Sequence, residues 1–158
     1  MLKLKKILVP VDFSANSELA IAYAASLANE YDAQIHLLNV VEEEVMTAGI
    51  GGDPLNTVQR WKDQALKQLS NFVPDKFRDI DFIKQVRGGL VYEAIIEYAK
   101  EYEINLIVMG AHGKTGFINS WLGGTTYEIA RKAPCAVLTV KPDGRGFVEG
   151  HDKVRDNS

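Results

Sequence analysis

Five short apolar runs alternate with segments of helical periodicity along the chain. Most of the runs are rich in Ile, Leu and Val, as expected of strands that are covered on both faces, and the third alternates between apolar and polar residues as a strand does. The runs span residues 5–11, 34–41, 81–86, 104–109 and 135–140. Because strand–helix–strand crossovers are right-handed, this pattern predicts an α/β fold: an open, five-stranded parallel sheet of Rossmann-like type with helices on both faces.

The intervening segments carry helix signals. Ser14 is a good N-cap for an alanine-rich helix, and apolar spacing predicts further helices at about 56–72 and from Leu90 to Tyr102. Thr125 to Glu128 matches a Ser/Thr-x-x-Glu capping box, which predicts a short helix over 125–132. The glycine-containing stretch 45–56 is predicted to be a loop.

A length of 158 residues corresponds to about one domain. Residues 1–141 contain all the predicted strands and helices, and they form the predicted domain. Residues 142–158 are polar and glycine-containing with few apolar side chains, so we expect a flexible C-terminal tail.

Composition and charge exclude several classes of function. No apolar stretch approaches the ~20 residues that a membrane-spanning helix requires, and the N-terminus lacks the features of a signal peptide, so we expect a cytoplasmic protein without a membrane partner. A net charge of −3 gives no general attraction to nucleic acid. The single cysteine and three scattered histidines indicate no metal site.

Parallel sheets of this kind bind ligands beyond the carboxyl ends of their strands, which directs attention to Asp12, Val40 and Gly110. The Asp12 carboxylate follows the first strand and could accept hydrogen bonds from a ribose diol. It could equally accept backbone amides at the start of the first helix. Position alone leaves both interpretations open.

A glycine-bearing segment follows the fourth strand. Gly110 and Gly113 precede Gly123 and Gly124, which stand at a predicted helix start. Bare backbone amides and the positive end of a helix dipole favour an anion such as phosphate, although glycines can also serve only to turn the chain. His112 in this loop could hydrogen-bond a ligand or remain solvated.

Nucleophilic catalysis has little support. The chain contains no Gly-x-Ser-x-Gly motif, and Cys135 lies in a strand, where a small core role is expected. We therefore expect no catalytic residues and no enzymatic activity.

Three motifs together resemble the universal stress protein family: the run from Ile7 to Ser14, the pattern Gly110-x-x-Gly113-x9-Gly123, and the run from Ala133 to Leu138. The resemblance covers residues 3–141. It implies the strand order 3-2-1-4-5, ATP binding in many members, and homodimers that pair their fifth strands, here Cys135 to Val140. It also implies a role in stress-linked regulation, in which an unidentified regulatory protein is a further partner.

Carried over by position, the resemblance places adenine near Pro10 and the backbone of Val40, ribose at Asp12, and phosphates along the glycines. The chain departs from the family at Gly124, where a Ser or Thr is usual. Loss of that hydroxyl would cost ~0.5–1.5 kcal/mol, and Thr125 or Thr126 could substitute for it. The candidate nucleotide-binding residues are Pro10, Val11, Asp12, Val40, Met109, Gly110, His112, Gly113, Gly123, Gly124, Thr125 and Thr126.

These features favour a stress-related regulatory protein that binds ATP, alone or with Mg²⁺, without efficient hydrolysis. Two alternatives stay open at this point. One is a nucleotide-free, dimeric interaction protein of the same fold, and the other is a weak ATPase.

Overall fold

The computed structural model describes residues 1–42, 54–111, 124–149 and 151. The strands are β1 (Lys6–Pro10), β2 (Gln34–Glu42), β3 (Phe82–Gly89), β4 (Leu106–Gly110) and β5 (Ala136–Val140). The α-helices within the described ranges are α1 (Ala15–Tyr31), α2 (Pro54–Phe72), α3 (Val91–Glu101) and α4 (Gly124–Lys132). A 3-10 turn at Asp75–Phe77 connects α2 to β3.

The strands form one sheet in the order β3-β2-β1-β4-β5, which confirms the expected order. All neighbouring strands are parallel. At the centre of the sheet, Ile7 of β1 lies opposite Ile35 of β2 and Leu106 of β4. Every strand therefore ends at the same edge of the sheet.

Alternate residues of β1 face two separate apolar layers. Ile7 and Val9 pack with residues of α1 and α2, whereas Leu8 packs with residues of α3 and α4. All three side chains are completely buried. Helices thus cover both faces of the sheet, as the apolar character of the strands predicts.

The helix starts agree with the sequence only in part. Ser14 is the N-cap of α1, as expected, and its hydroxyl accepts a hydrogen bond from the Ser17 amide. The predicted capping box of α4 is wrong. The helix already includes Thr125, and the Glu128 carboxylate lies 2.8 Å from Nζ of Lys132, an ion pair within the helix.

The expectation of a flexible tail does not hold for the residues next to β5. His151 is buried, with Nδ1 2.9 Å from the Tyr23 hydroxyl of α1 and Nε2 3.1 Å from the Gly144 carbonyl oxygen. The Phe147 ring packs edge-on against Tyr23, at 4.7 Å between centroids. Few apolar residues are needed to hold this segment against α1, because Phe147 and His151 both contact the same tyrosine. Residues 152–158 lie outside the described part of the chain.

We expect Gly146→Ala to detach this C-terminal segment, because a Cβ at position 146 would overlap the ring of His151. Gly144→Ala is the matched control, since its Cβ would meet the nearest Lys141 atoms at an ordinary 3.4 Å. The measurement is the rate of tryptic cleavage at Arg145. Faster cleavage in the Gly146 variant alone is expected, and equal rates in both variants would show that the segment is not held by this contact.

A buried polar pair joins β2 to α3. His36 is 1 % exposed, and its Nδ1 lies 2.8 Å from the hydroxyl of Tyr98, which is fully buried. Burial lowers the pKa of His36 below its ordinary value, and the nearby charge of Lys6 lowers it further. Burial also raises the pKa of Tyr98 to about 12. Both groups are therefore neutral at physiological pH.

This pair predicts acid sensitivity. A histidine with a lowered pKa in the folded state contributes its full stabilisation above its ordinary pKa of 6.5, and it loses that stabilisation as the pH falls through the folded value. We expect the free energy of unfolding, measured with urea at a series of pH values around 6.5, to fall less steeply with acid in His36→Gln than in the wild type. An identical pH dependence in the two proteins would contradict this role.

Candidate functional site

A cavity of about 480 Å³ opens at the carboxyl-terminal edge of the sheet. Its walls come from the ends of β1, β2 and β4 and from the first turns of α1, α3 and α4, with α2 on one side. Ligand pockets typically measure ~300–1,000 Å³, so the space suits a small organic ligand.

Nine of the residues predicted from sequence lie around this one cavity. They are Pro10, Val11, Asp12, Val40, Met109, Gly110, Gly124, Thr125 and Thr126. His112, Gly113 and Gly123 fall outside the described residues. The fold thus brings together segments more than a hundred residues apart, and the contacts of these residues with a ligand remain predictions.

Asp12 is held by the first turn of α1. Its Oδ1 accepts hydrogen bonds from the Ser14 amide at 3.0 Å and from the Ser17 hydroxyl at 2.6 Å, and the Ser14 hydroxyl also donates to it. The Asp12 amide donates back to Ser17 Oγ at 3.0 Å. The helix-start role considered for Asp12 is therefore present, and it fixes the carboxylate at the cavity wall.

The Val11 backbone beside Asp12 is anchored from β2. Its amide donates to the Leu38 carbonyl oxygen, and its own carbonyl oxygen accepts a hydrogen bond from Asn39 Nδ2, each at 2.8 Å. Asn39 is buried and also lines the cavity. The strand ends that form this wall are consequently rigid.

The N-terminus of α4 forms another part of the cavity wall. Thr126 is buried, and its hydroxyl donates to the Gly110 carbonyl oxygen at 3.4 Å, joining α4 to the end of β4. Gly124 and Thr125 are exposed in the first turn, where helix amides and the helix dipole attract anions. Among the described residues, apart from its chain neighbours and the backbone of its own helix, none lies within 4 Å of the position that a Gly124 Cβ would take.

Helix α2 contributes to the cavity wall, which was not predicted from the sequence. Trp61, Gln64, Ala65 and Gln68 line the cavity, and their spacing places them on one face of the helix. The Nε1–H of Trp61 is shielded from solvent and has no acceptor among the described residues. The i, i+3, i+4, i+7 spacing was visible in the sequence, but nothing there showed which side of α2 faces the strand ends.

A second carboxylate, Glu42 at the end of β2, also lines the cavity beside that of Asp12. Across the described ranges, no group of three or more His, Cys, Asp or Glu side chains is placed to hold a metal ion. Cys135 does not line the cavity, and burial raises the pKa of its thiol, which disfavours the reactive thiolate.

No helix in the described part of the chain has the length and apolar character needed to cross a membrane.

Comparisons with known proteins give one consistent result. The model of the universal stress protein family matches residues 3–141. Universal stress protein MJ0577 of Methanocaldococcus jannaschii is 28 % identical over 153 residues, covering 87 % of this chain and 94 % of that protein. Universal stress protein A homolog 1 of Coxiella burnetii is 30 % identical over 142 residues, covering 86 % of this chain and 95 % of that protein.

Solved structures share the fold. The structure of MJ0577 superposes with a TM-score of 0.74 at 26 % identity, covering 89 % of this chain and 97 % of that one. A universal stress protein from Archaeoglobus fulgidus in complex with dAMP superposes with a TM-score of 0.56 at 15 % identity, covering 89 % of this chain and all of that one. At that identity, the second likeness shows the fold alone.

Proposed function

The chain belongs to the universal stress protein family, and from that premise we propose that it is a regulatory protein that binds ATP in the cavity at the strand ends without hydrolysing it efficiently. The universal stress protein from Archaeoglobus fulgidus, which has the same fold, was solved in complex with dAMP. This supports an adenine nucleotide as the class of ligand. Nucleotide occupancy would then alter a surface that a protein partner contacts, as the family resemblance suggests.

One observation carries the proposal. The fixed carboxylate of Asp12 and the N-terminus of α4 both line a single cavity of about 480 Å³. A carboxylate accepts hydrogen bonds from ribose hydroxyls, whereas a helix N-terminus attracts phosphate. The Asp12 carboxylate therefore suits the ribose of a nucleotide, and the N-terminus of α4 suits its phosphates.

The phosphates would lie against the first turn of α4. Gly124 carries no side chain there, so phosphate oxygens can approach its backbone closely. The Thr125 hydroxyl is exposed beside it and can supply the hydrogen bond that the Gly124 position lacks. The adenine would then lie at the other end, near Pro10 and the Val40 backbone.

At nucleotide sites, Mg²⁺ is usually coordinated by one or two carboxylates together with the phosphates. Asp12 and Glu42 both line the cavity, and their oxygens suit this hard cation. We expect Mg²⁺ to enter bound to the nucleotide rather than to a site of the protein alone.

Efficient hydrolysis is not expected. It requires a group that orients the attacking water and positive charge on the transferring phosphoryl group. The described cavity wall contains neither Lys, Arg nor His, and the Asp12 carboxylate is engaged with the first turn of α1. Binding rather than turnover is the proposed activity.

We expect Gly124→Ser to strengthen ATP binding and Gly124→Asp to weaken it, with dissociation constants measured by titration calorimetry in the presence of Mg²⁺. The serine adds a hydroxyl that can donate to a phosphate, worth about three- to tenfold in affinity. The aspartate places a negative charge beside the phosphates, a repulsion of about 4 kcal/mol at 4 Å for an effective dielectric constant of 20, so binding should fall by more than about tenfold.

Both substitutions suit the fold, because the Cβ meets open space and an acidic residue at a helix start is stabilising by about 0.3–1 kcal/mol. The melting temperatures of the two variants should therefore equal or exceed that of the wild type. Wild-type protein that binds no ATP would favour the nucleotide-free interaction protein, and rapid release of phosphate would favour the ATPase.

We also propose that β5 pairs with β5 of a second copy. The sheet has two edge strands, β3 and β5. β3 carries Lys84 and Arg87, charges that protect an edge from pairing, whereas β5 (Ala136–Val140) carries none. The edge without charges is the one suited to antiparallel pairing.

Light scattering should accordingly give a mass about twice the 17.5 kDa of one chain. We expect Ala136→Lys to shift the protein to monomer, because a lysine on an edge strand opposes pairing. Gln85→Lys, at an exposed position of the β3 edge, is the matched control and should leave the mass unchanged. A wild-type monomer at micromolar concentration would overturn the proposal.

A further inference from the structure

The cavity has a wall that neither the family motifs nor the sequence argument assigns a role. It consists of Trp61, Gln64, Ala65 and Gln68, one face of α2, and is called here the α2 wall. Ala65 is buried and Trp61 is partly buried, whereas Gln64 and Gln68 are exposed at the cavity mouth. The wall thus combines an apolar floor with two carboxamides at its rim.

The position of this wall decides which part of a ligand it meets. Helix α2 packs against β2 and β3, whereas α4 packs against β5, so the two helices lie towards opposite ends of the sheet. If phosphates bind at the N-terminus of α4, as proposed above, the base lies towards β2 and α2. This step rests on the proposed function.

The two carboxamides are available for a ligand. No hydrogen bond within the described residues engages Gln64 or Gln68. Gln59, on the same helix but outside the cavity, differs, because its Nε2 donates to Asp63 Oδ1 at 2.9 Å.

A carboxamide donates and accepts at neighbouring atoms. It therefore matches the edge of adenine that presents the exocyclic amino group, a donor, beside a ring nitrogen of the five-membered ring, an acceptor. Hypoxanthine and guanine present a carbonyl oxygen in place of the amino group, so the same edge offers two acceptors. A carboxamide that presents its oxygen and its nitrogen side by side can pair with only one of them.

We infer that the carboxamides of Gln64 and Gln68 select adenine among the purines that can enter the cavity. Trp61 and Ala65 form the apolar surface against which the base lies, and the carboxamides hydrogen-bond its edge. The α2 wall is thus a specificity determinant, separate from the groups that hold the sugar and the phosphates.

The test compares ATP with inosine triphosphate, in which a carbonyl oxygen replaces the exocyclic amino group and the adjacent ring nitrogen carries a proton. We expect wild-type protein to bind ATP about three- to tenfold more tightly, the value of one hydrogen bond. In the double variant Gln64→Met, Gln68→Met this ratio should fall towards one, with affinity for inosine triphosphate little changed. Methionine keeps the length of the side chain and its helix propensity, so the fold should be retained.

Gln59→Met is the matched control, because it makes the same substitution on α2 outside the cavity and should preserve the wild-type ratio. The role of the α2 wall would be overturned if the double variant kept the wild-type ratio of affinities, or if the wild type showed no preference for ATP over inosine triphosphate. Neither result would contradict ATP binding itself. Wild-type protein that binds neither nucleotide would instead refute the proposed function and this inference with it.

Discussion

Backbone hydrogen bonds join β1 to β2 on one side and to β4 on the other, with all three strands running in the same direction. This pairing holds because the central residues of β1, Ile7, Leu8 and Val9, are apolar and completely buried between two layers of helices, where unpaired amides and carbonyls would be costly. It brings three strand ends to one edge of the sheet. The helices that begin or pass there complete the walls of the cavity, so the site is a consequence of the parallel order.

Asp12 shows how one residue serves the fold and the site together. Its Oδ1 accepts hydrogen bonds from Ser14 and Ser17, which satisfies the start of α1. The same contacts hold the carboxylate still at the cavity wall. A carboxylate that is positioned before a ligand arrives loses less conformational freedom on binding. The helix-start role and the proposed ribose role are therefore compatible rather than competing.

Much of the fold could be predicted because it depends on local patterns. Apolar runs marked the five strands, and the Ser14 cap marked the start of α1 to the residue. The errors lie where other side-chain contacts compete with the pattern, either within a helix or from a distant element. The Glu128 carboxylate pairs with Lys132 instead of capping α4, and aromatic packing on Tyr23 holds Phe147 and His151 in a segment whose composition suggested flexibility.

The residues of the candidate site likewise include some that could be identified from sequence and some that could not. Glycines and a carboxylate that directly follow strands were identified from sequence, because a parallel sheet places all such positions at one edge. Glu42 was not identified, although it ends β2. The contribution of the α2 wall was not identified because the direction that a helix face takes depends on how the helix packs across the sheet.

Apolar runs and cap signals in the sequence specify most of the strands and helices, a parallel sheet, and the chemical groups available where strands end. Packing sets which face of α2 meets the cavity and returns the C-terminal segment to α1. These contacts could not be predicted from local patterns, because strand and helix patterns arise from neighbours in sequence, whereas these contacts join elements that only packing brings together.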